Sequence, residues 1–379
     1  MPGLYLHIPF CKQACYYCDF HFSTNLQKKD EIIDAICKEI EFQKDYLGSN
    51  EITTVYFGGG TPSLLSEKNL DKIFNQINKY FQLNPYIEIT LEANPDDLNA
   101  TKIDLFAKYG VNRLSIGIQS FQDIHLKYLN RVHNASEARN SVKLAQNKGI
   151  DNISIDLIYA IPSDSHNLWE TDLQEAITLG VRHISAYCLT IEEKTVFGNL
   201  LKNNKIKEVD EEYAASQFEI LLDFLENNHF EQYEISNFAL EGFHSKHNSS
   251  YWKKEKYLGV GPSAHSYDGD SRQYNIPNNI KYLNSLKKGV VPFEKEILSF
   301  EQKINEYLMT SLRTKWGCDI GKIKKEYDID FLKHQNALIN KYQRQGLLEL
   351  KNNILFLTSK GKLLADEITA NLFLIIQER

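Results

Sequence analysis

Three of the chain's six cysteines fall within eight residues, Cys11-Lys12-Gln13-Ala14-Cys15-Tyr16-Tyr17-Cys18, in the spacing C-x3-C-x2-C. A loop this short lets three thiolates converge on one centre. A chain of 379 residues needs no disulfide staples, so the crowding points to a metal and a reducing compartment. Three sulfurs are one ligand short of a closed zinc site or a fully ligated iron–sulfur cubane. Two readings follow: a 4Fe-4S cluster with one iron open to another ligand, or a zinc ion completed by His7, His21 or Asp19. Cys37, Cys188 and Cys318 each stand alone among apolar or helical neighbours, where a thiol packs as a small hydrophobe.

Other chemically capable residues recur at the ends of apolar runs. Gly58-Gly59-Gly60-Thr61-Pro62-Ser63 closes the second run, and missing β-carbons there let a ligand approach main-chain N–H groups. Glu92 ends the third run, Gln119 follows the fourth, Arg131 comes twelve residues later and Asp156 lies in the fifth. His7 is two residues from Tyr5 and shares its face of the first strand, where it either supports the metal loop or packs in the core.

The elements that must position these residues are short runs rich in β-branched and aromatic residues, at 4–8, 52–57, 87–92, 113–118, 153–159 and 183–189. Helix-period stretches separate them, such as Leu70, Ile73, Phe74, Ile77 and Phe81. Alternation of this kind predicts βαβ units and a parallel sheet, here an α/β partial (β/α)6 TIM-like barrel whose strand ends share one rim. A helix is expected over 210–228 and a short strand over 230–235. Residues 236–295 lack sustained periodicity and read as loops draped over the barrel end or a linker. From 296 to 379 the expectation is a smaller helical module with a hairpin at 347–357 and a last helix from Ser359, winged-helix-like in outline. Its helices mix Lys with Glu and Asp, which favours packing or docking over DNA binding. The divisions are thus 1–235, 236–295 and 296–379.

The wording Tyr5-Leu6-His7-Ile8-Pro9-Phe10-Cys11 and Cys15-Tyr16-Tyr17-Cys18-Asp19-Phe20 resembles the radical SAM superfamily, in the branch holding oxygen-independent coproporphyrinogen III oxidase and the haem chaperone HemW. The resemblance implies that Cys11, Cys15 and Cys18 hold a 4Fe-4S cluster and that S-adenosylmethionine (SAM) chelates its fourth iron. It places Gly59, Gly60 and Thr61 at the methionine part of SAM, and Tyr5, Tyr17, Glu92, Gln119, Arg131 and Asp156 among its contacts. The residue types suit the ligand: an ammonium needs acceptors, a carboxylate needs donors or a cation, and ribose hydroxyls pair with carboxylates or amides.

The oxidase carries a further cysteine two residues after the third, where this chain has Phe20. The run His247-Asn248-Ser249-Ser250-Tyr251-Trp252 is similar to the H-N-x-x-Y-W sequence associated with haem in HemW. That likeness implies haem contacts at His247, Asn248, Tyr251 and Trp252. Imidazole is a good axial ligand and aromatic faces could cover a porphyrin. A surface turn anchored by Tyr and Trp is the plainer alternative, and His244 and His265 are candidate second contacts. The family implies haem and haem-acceptor proteins such as respiratory enzymes as partners, with cluster and SAM supporting folding, dimerisation or transfer. The rival is the oxidase reaction on coproporphyrinogen III.

A net charge of -7 argues against a broad phosphate-gripping surface, so no nucleic-acid partner is expected. No apolar run approaches the roughly 20 residues of a membrane span. Peripheral contact is the most a membrane would see, and a cytoplasmic location is expected.

Overall fold

The computed structural model describes residues 2–375; residues 376–379, the end of the expected C-terminal module, lie outside them. Strand β1 (Gly3–Ile8) alternates by residue type, and that alternation sorts its side chains. Leu4, Leu6 and Ile8 are fully buried beneath the surrounding helices, while Gly3, Tyr5 and His7 face the opposite way. Strands β2 (Glu51–Gly59), β3 (Gln82–Ala93), β4 (Arg113–Gln119), β5 (Ile153–Tyr159) and β6 (His183–Cys188) follow in chain order, each parallel to the one before. These are the six expected runs. The helix Glu67–Tyr80 shows why its sequence folds as it does: Ser66 and Asn69 form a reciprocal capping box, and Leu70, Ile73, Phe74 and Ile77 are buried as their spacing predicts.

The concave face of the sheet is polar. Its register sets Gly3 beside Thr54 and Thr54 beside Glu88; one step along, Tyr5 pairs with Tyr56, Tyr56 with Thr90 and Thr90 with Arg113. Farther round, Ser154 meets His183 and Asp156 meets Ser185. These rows form the floor beneath the carboxyl rim.

Residues 236–295 are not a loop. At one edge β7 (Glu231–Gln232) and β8 (Asn237–Ala239) extend the sheet antiparallel from β6. At the other edge β9 (Tyr257–Val260) runs parallel to β1, and β10 (His265–Tyr267), β11 (Ser271–Asn275) and β12 (Phe293–Ile297) continue antiparallel, giving twelve strands in all among the described residues. Strands of three to five residues are too short to display a two-residue period. Gly259 hid β9 further, although it is required there: a β-carbon would lie 2.0 Å from the His265 carbonyl oxygen.

This segment is bound to the barrel by Glu39, in the helix Lys29–Phe42. Its fully buried carboxylate accepts from Gly261 N at 2.8 Å, Tyr282 Oη at 2.5 Å, Asn275 Nδ2 at 2.7 Å and Gln43 Nε2 at 2.9 Å. The helices Phe300–Leu312, Ile320–Tyr327 and Phe331–Arg344 pack with a small sheet of β13 (Cys318–Asp319), β14 (Leu348–Lys351) and β15 (Ile354–Leu357) around a separate core that includes Ile304, Leu308, Ile323 and Leu355. The expected hairpin is β14–β15. Cys37 and Cys318 are buried in apolar cores as expected of lone thiols.

Candidate functional site

The loop after β1 is held in place before any ligand is considered. Cys11 N donates to Ser23 O at 3.1 Å, Gly60 N to Ile8 O at 2.9 Å and Thr61 N to Phe10 O at 2.7 Å. The end of β2 therefore crosses directly over the entry to the cysteine loop. Gly59, at φ +102°, would set a β-carbon 2.6 Å from the His7 ring, and Gly60 would set one 2.7 Å from the Phe10 backbone. A side chain at either glycine would collide with His7 or Phe10, so the missing β-carbons let the end of β2 pass close over the cysteine loop, and both glycines line the cavity beside it.

That wall encloses about 410 Å³ and brings together Cys11, Cys15 and Cys18 with Tyr17, Gly59, Gly60, Thr61, Glu92, Gln119, Arg131 and Asp156. Every sequence-derived candidate for the SAM site is there except Tyr5. Tyr5 lies deeper, its hydroxyl 3.2 Å from His7 Nδ1 and its ring stacked on Tyr56. It still abuts the same spot as Glu92, since a β-carbon at Gly58 would meet the Tyr5 ring at 3.0 Å and Glu92 Oε1 at 3.1 Å.

Two acids and one cation dominate the electrostatics. Burial pushes the Glu92 carboxyl up to about 7, with the Asp156 charge adding to the effect, while Tyr56 Oη donates to it at 2.8 Å. Burial likewise raises Asp156 to about 6. Burial works against the Arg131 guanidinium, but Tyr17 and Cys15 beside it outweigh this and hold it charged. Its Nη1 donates to Cys15 Sγ at 3.2 Å and its Nη2 to Asn94 Oδ1 and Gly117 O at 2.7 Å each, leaving the buried Nε without a partner among the described residues. Gln119, at the end of β4, adopts φ +68°, a strained conformation for a residue with a side chain.

The donor set fits the implied groups. The three thiols are free and line one cavity. Burial pushes Cys11 up to about 11 and Cys18 up to about 12, so metal binding at these two would release protons. Among the described residues no three such donors already stand at metal-ligand spacing. The histidines proposed to complete a zinc site are engaged elsewhere: His7 Nε2 pairs with His21 O at 2.9 Å and His21 Nε2 with Asn279 Oδ1 at 2.8 Å. Asp19 does line the cavity.

Sequence reading missed Asn94, Ser115, Tyr187 and Cys188, which share the wall. Asn94 had a signal, two residues beyond Glu92 at the same strand end. Cys188 departs from expectation: it lines the cavity instead of packing in a core, because it is the last residue of β6.

The motif residues form the helix Lys246–Trp252, capped by Ser245 and anchored by Glu88, which accepts from the N–H groups of Lys246 and His247 at 3.1 Å each. His247 is 2% exposed, with Nδ1 2.8 Å from Thr54 Oγ1 and Nε2 2.7 Å from Tyr251 Oη. Its ring stacks on Tyr56 at 5.0 Å, and burial lowers its pKa to about 3. An imidazole with both nitrogens committed is not offered to an axial site, contrary to the role anticipated for it. The Asn248 backbone N–H donates to Ser245 Oγ, within the cap.

Comparison with known proteins agrees with this geometry. The radical SAM superfamily model matches residues 5–176, and the HemN C-terminal domain model matches residues 298–364. The chain is 34% identical to "Heme chaperone HemW" of Bacillus subtilis over 97% of this chain and 98% of that protein. It is 35% identical to the protein of the same name from Lactococcus lactis, over 94% and 93%. The chain belongs to the HemW family of radical SAM proteins. Coproporphyrinogen III oxidase (HemN) from Escherichia coli shares the fold, with a TM-score of 0.86 at 22% identity, covering 98% of this chain and 90% of that one.

Within this HemW-family fold, a second cavity of about 540 Å³ opens between the inner face of β9–β11 and the C-terminal module. Tyr251 and Trp252 of the motif line it, as do Tyr5 and His265. Phe20 lines both cavities and is 69% exposed. His244, the other flanking candidate, instead pairs with Glu231 at 3.1 Å and stacks on Tyr233.

Proposed function

We propose that this chain binds haem and delivers it to haem-requiring proteins such as respiratory enzymes; the relatives it matches over nearly their whole length are named haem chaperones. The observation that carries the reading is the pairing of two chambers, one holding the cysteine loop and the SAM-type rim, the other walled by Tyr251 and Trp252, with Phe20 between them. Cys11, Cys15 and Cys18 would hold a 4Fe-4S cluster. Tyr5, Tyr17, Gly59, Gly60, Thr61, Glu92, Gln119, Arg131 and Asp156 would hold SAM. The cluster with SAM supplies one-electron chemistry when reduced. What the chain itself contributes is a buried cation for a carboxylate, buried acids for an ammonium and ribose, and a wall that limits water.

Among the described residues no helix is long and apolar enough to cross a membrane. A cytoplasmic setting would keep the three thiols reduced. Homodimerisation and peripheral membrane contact during transfer belong to the same reading.

The test is transfer. Protein loaded with hemin and mixed with an apo haem enzyme should restore that enzyme's activity faster than free hemin at equal concentration. Vinyl product formed from coproporphyrinogen III under anaerobic reduction with SAM would instead establish the oxidase reaction.

A further inference from the structure

The second cavity has the chemistry of a site for a planar, apolar, dicarboxylate metal chelate. Its volume of about 540 Å³ lies within the usual range for small-molecule sites, roughly 300–1,000 Å³. Aromatic side chains form much of the wall: Tyr251 and Trp252 from the motif helix, Tyr257 from β9 and Tyr267 from β10. Two cations, Arg272 and Lys254, stand in the same wall with two acids, Glu255 and Glu306, and Lys254 Nζ donates to Lys303 O at 2.9 Å. Arg272 already binds a carboxylate there, Glu306 of the C-terminal module, at 3.0 Å.

Four histidines lie in or beside this chamber, and three are committed. His7 pairs with Tyr5 Oη and His21 O, His21 with Asn279, and His247 with Thr54 and Tyr251. His265 lines the cavity, is exposed, and its ring makes no hydrogen bond among the described residues; its one ring contact is with Tyr274 at 5.8 Å. Partial desolvation in the cavity wall and the nearby Arg272 charge lower its pKa, which favours the neutral form that ligates a metal.

Resting on the haem-chaperone reading, we infer that haem occupies this chamber with His265 as its imidazole ligand and Arg272 and Lys254 at its propionates. His247 is then a positioning residue that fixes Tyr251 against the barrel floor, and the motif supplies a wall. Because Phe20 borders both chambers, the bound haem would lie beside the cluster site.

The experiment is hemin titration of full-length protein, followed by the Soret band, with wild type, His265→Ala and His247→Ala, each with and without added imidazole. His265 makes no hydrogen bond, so His265→Ala should melt as wild type does. It should bind hemin at least about tenfold more weakly, a loss of about 1.4 kcal/mol, with a shifted Soret maximum that free imidazole restores. His247→Ala should not be rescued by imidazole. If His265→Ala matches wild type in affinity and spectrum, or imidazole rescues only His247→Ala, the assignment of His265 is overturned while the chaperone reading stands. If wild type binds no hemin, both fall.

Discussion

Arg131 donates to the Cys15 thiol while its buried Nε has no partner among the described residues. One guanidinium therefore touches the cysteine loop, fixes two strand ends through Asn94 and Gly117, and lines the cavity. A planar donor of this kind suits an amino-acid carboxylate better than a point charge does.

Arg131→Met should therefore weaken SAM binding by about 10- to 100-fold, matching the roughly 1.5–3 kcal/mol of a hydrogen bond to a charged group. Arg131→Lys should recover only part of that. The SAM-induced change in the EPR spectrum of the reduced protein, titrated in each variant, is the measurement. An unchanged titration in Arg131→Met would remove Arg131 from the SAM site.

Cys188 raises a question of ligand count, because it shares the cavity with the triad. It comes from the end of β6, whereas the triad occupies one loop after β1. Replacing any one of Cys11, Cys15 or Cys18 by Ser should reduce iron and sulfide retained after anaerobic reconstitution to near background. Cys188→Ser should retain wild-type amounts. Iron loss in Cys188→Ser comparable to the triad variants would show four cysteine ligands and no open iron for SAM.

The contrast between these cysteines shows where sequence reading works. Cys11, Cys15 and Cys18 carry their information in local spacing, and the six parallel strands carry theirs in repeated βαβ alternation, so both could be read directly. Tyr187 and Cys188 join the site only because strands far apart in sequence end on one rim. β9 was missed for a different reason: four residues broken by Gly259 show no period, and β1 supplies the hydrogen-bonding partner that makes them a strand. His247 was identified by its motif, but its role as an anchor depends on Thr54, nearly two hundred residues earlier.

Glu39 gives the fold a pH dependence whose sign follows from its surroundings. Burial raises its carboxyl from an ordinary 4.5 to about 7, even though four donors converge on it. The folded state therefore holds the proton more tightly than the unfolded chain does. Its contribution to stability is fully present below pH about 4.5 and is lost as pH rises through about 7. At about 1.4 kcal/mol per pKa unit, the loss across that window is on the order of 3 kcal/mol. Glu39→Gln cannot titrate. At pH 5 it should be no more stable than wild type, since both side chains then present one acceptor and one donor group to the same partners. By pH 8 the difference should narrow or reverse in favour of Gln. Urea unfolding of the two proteins at pH 5, 6, 7 and 8 measures the gap directly. A gap that stays constant, or widens with pH, would mean that the donors from Gly261, Tyr282, Asn275 and Gln43 keep Glu39 ionised throughout and that the clamp between barrel and sheet extension is a buried charge.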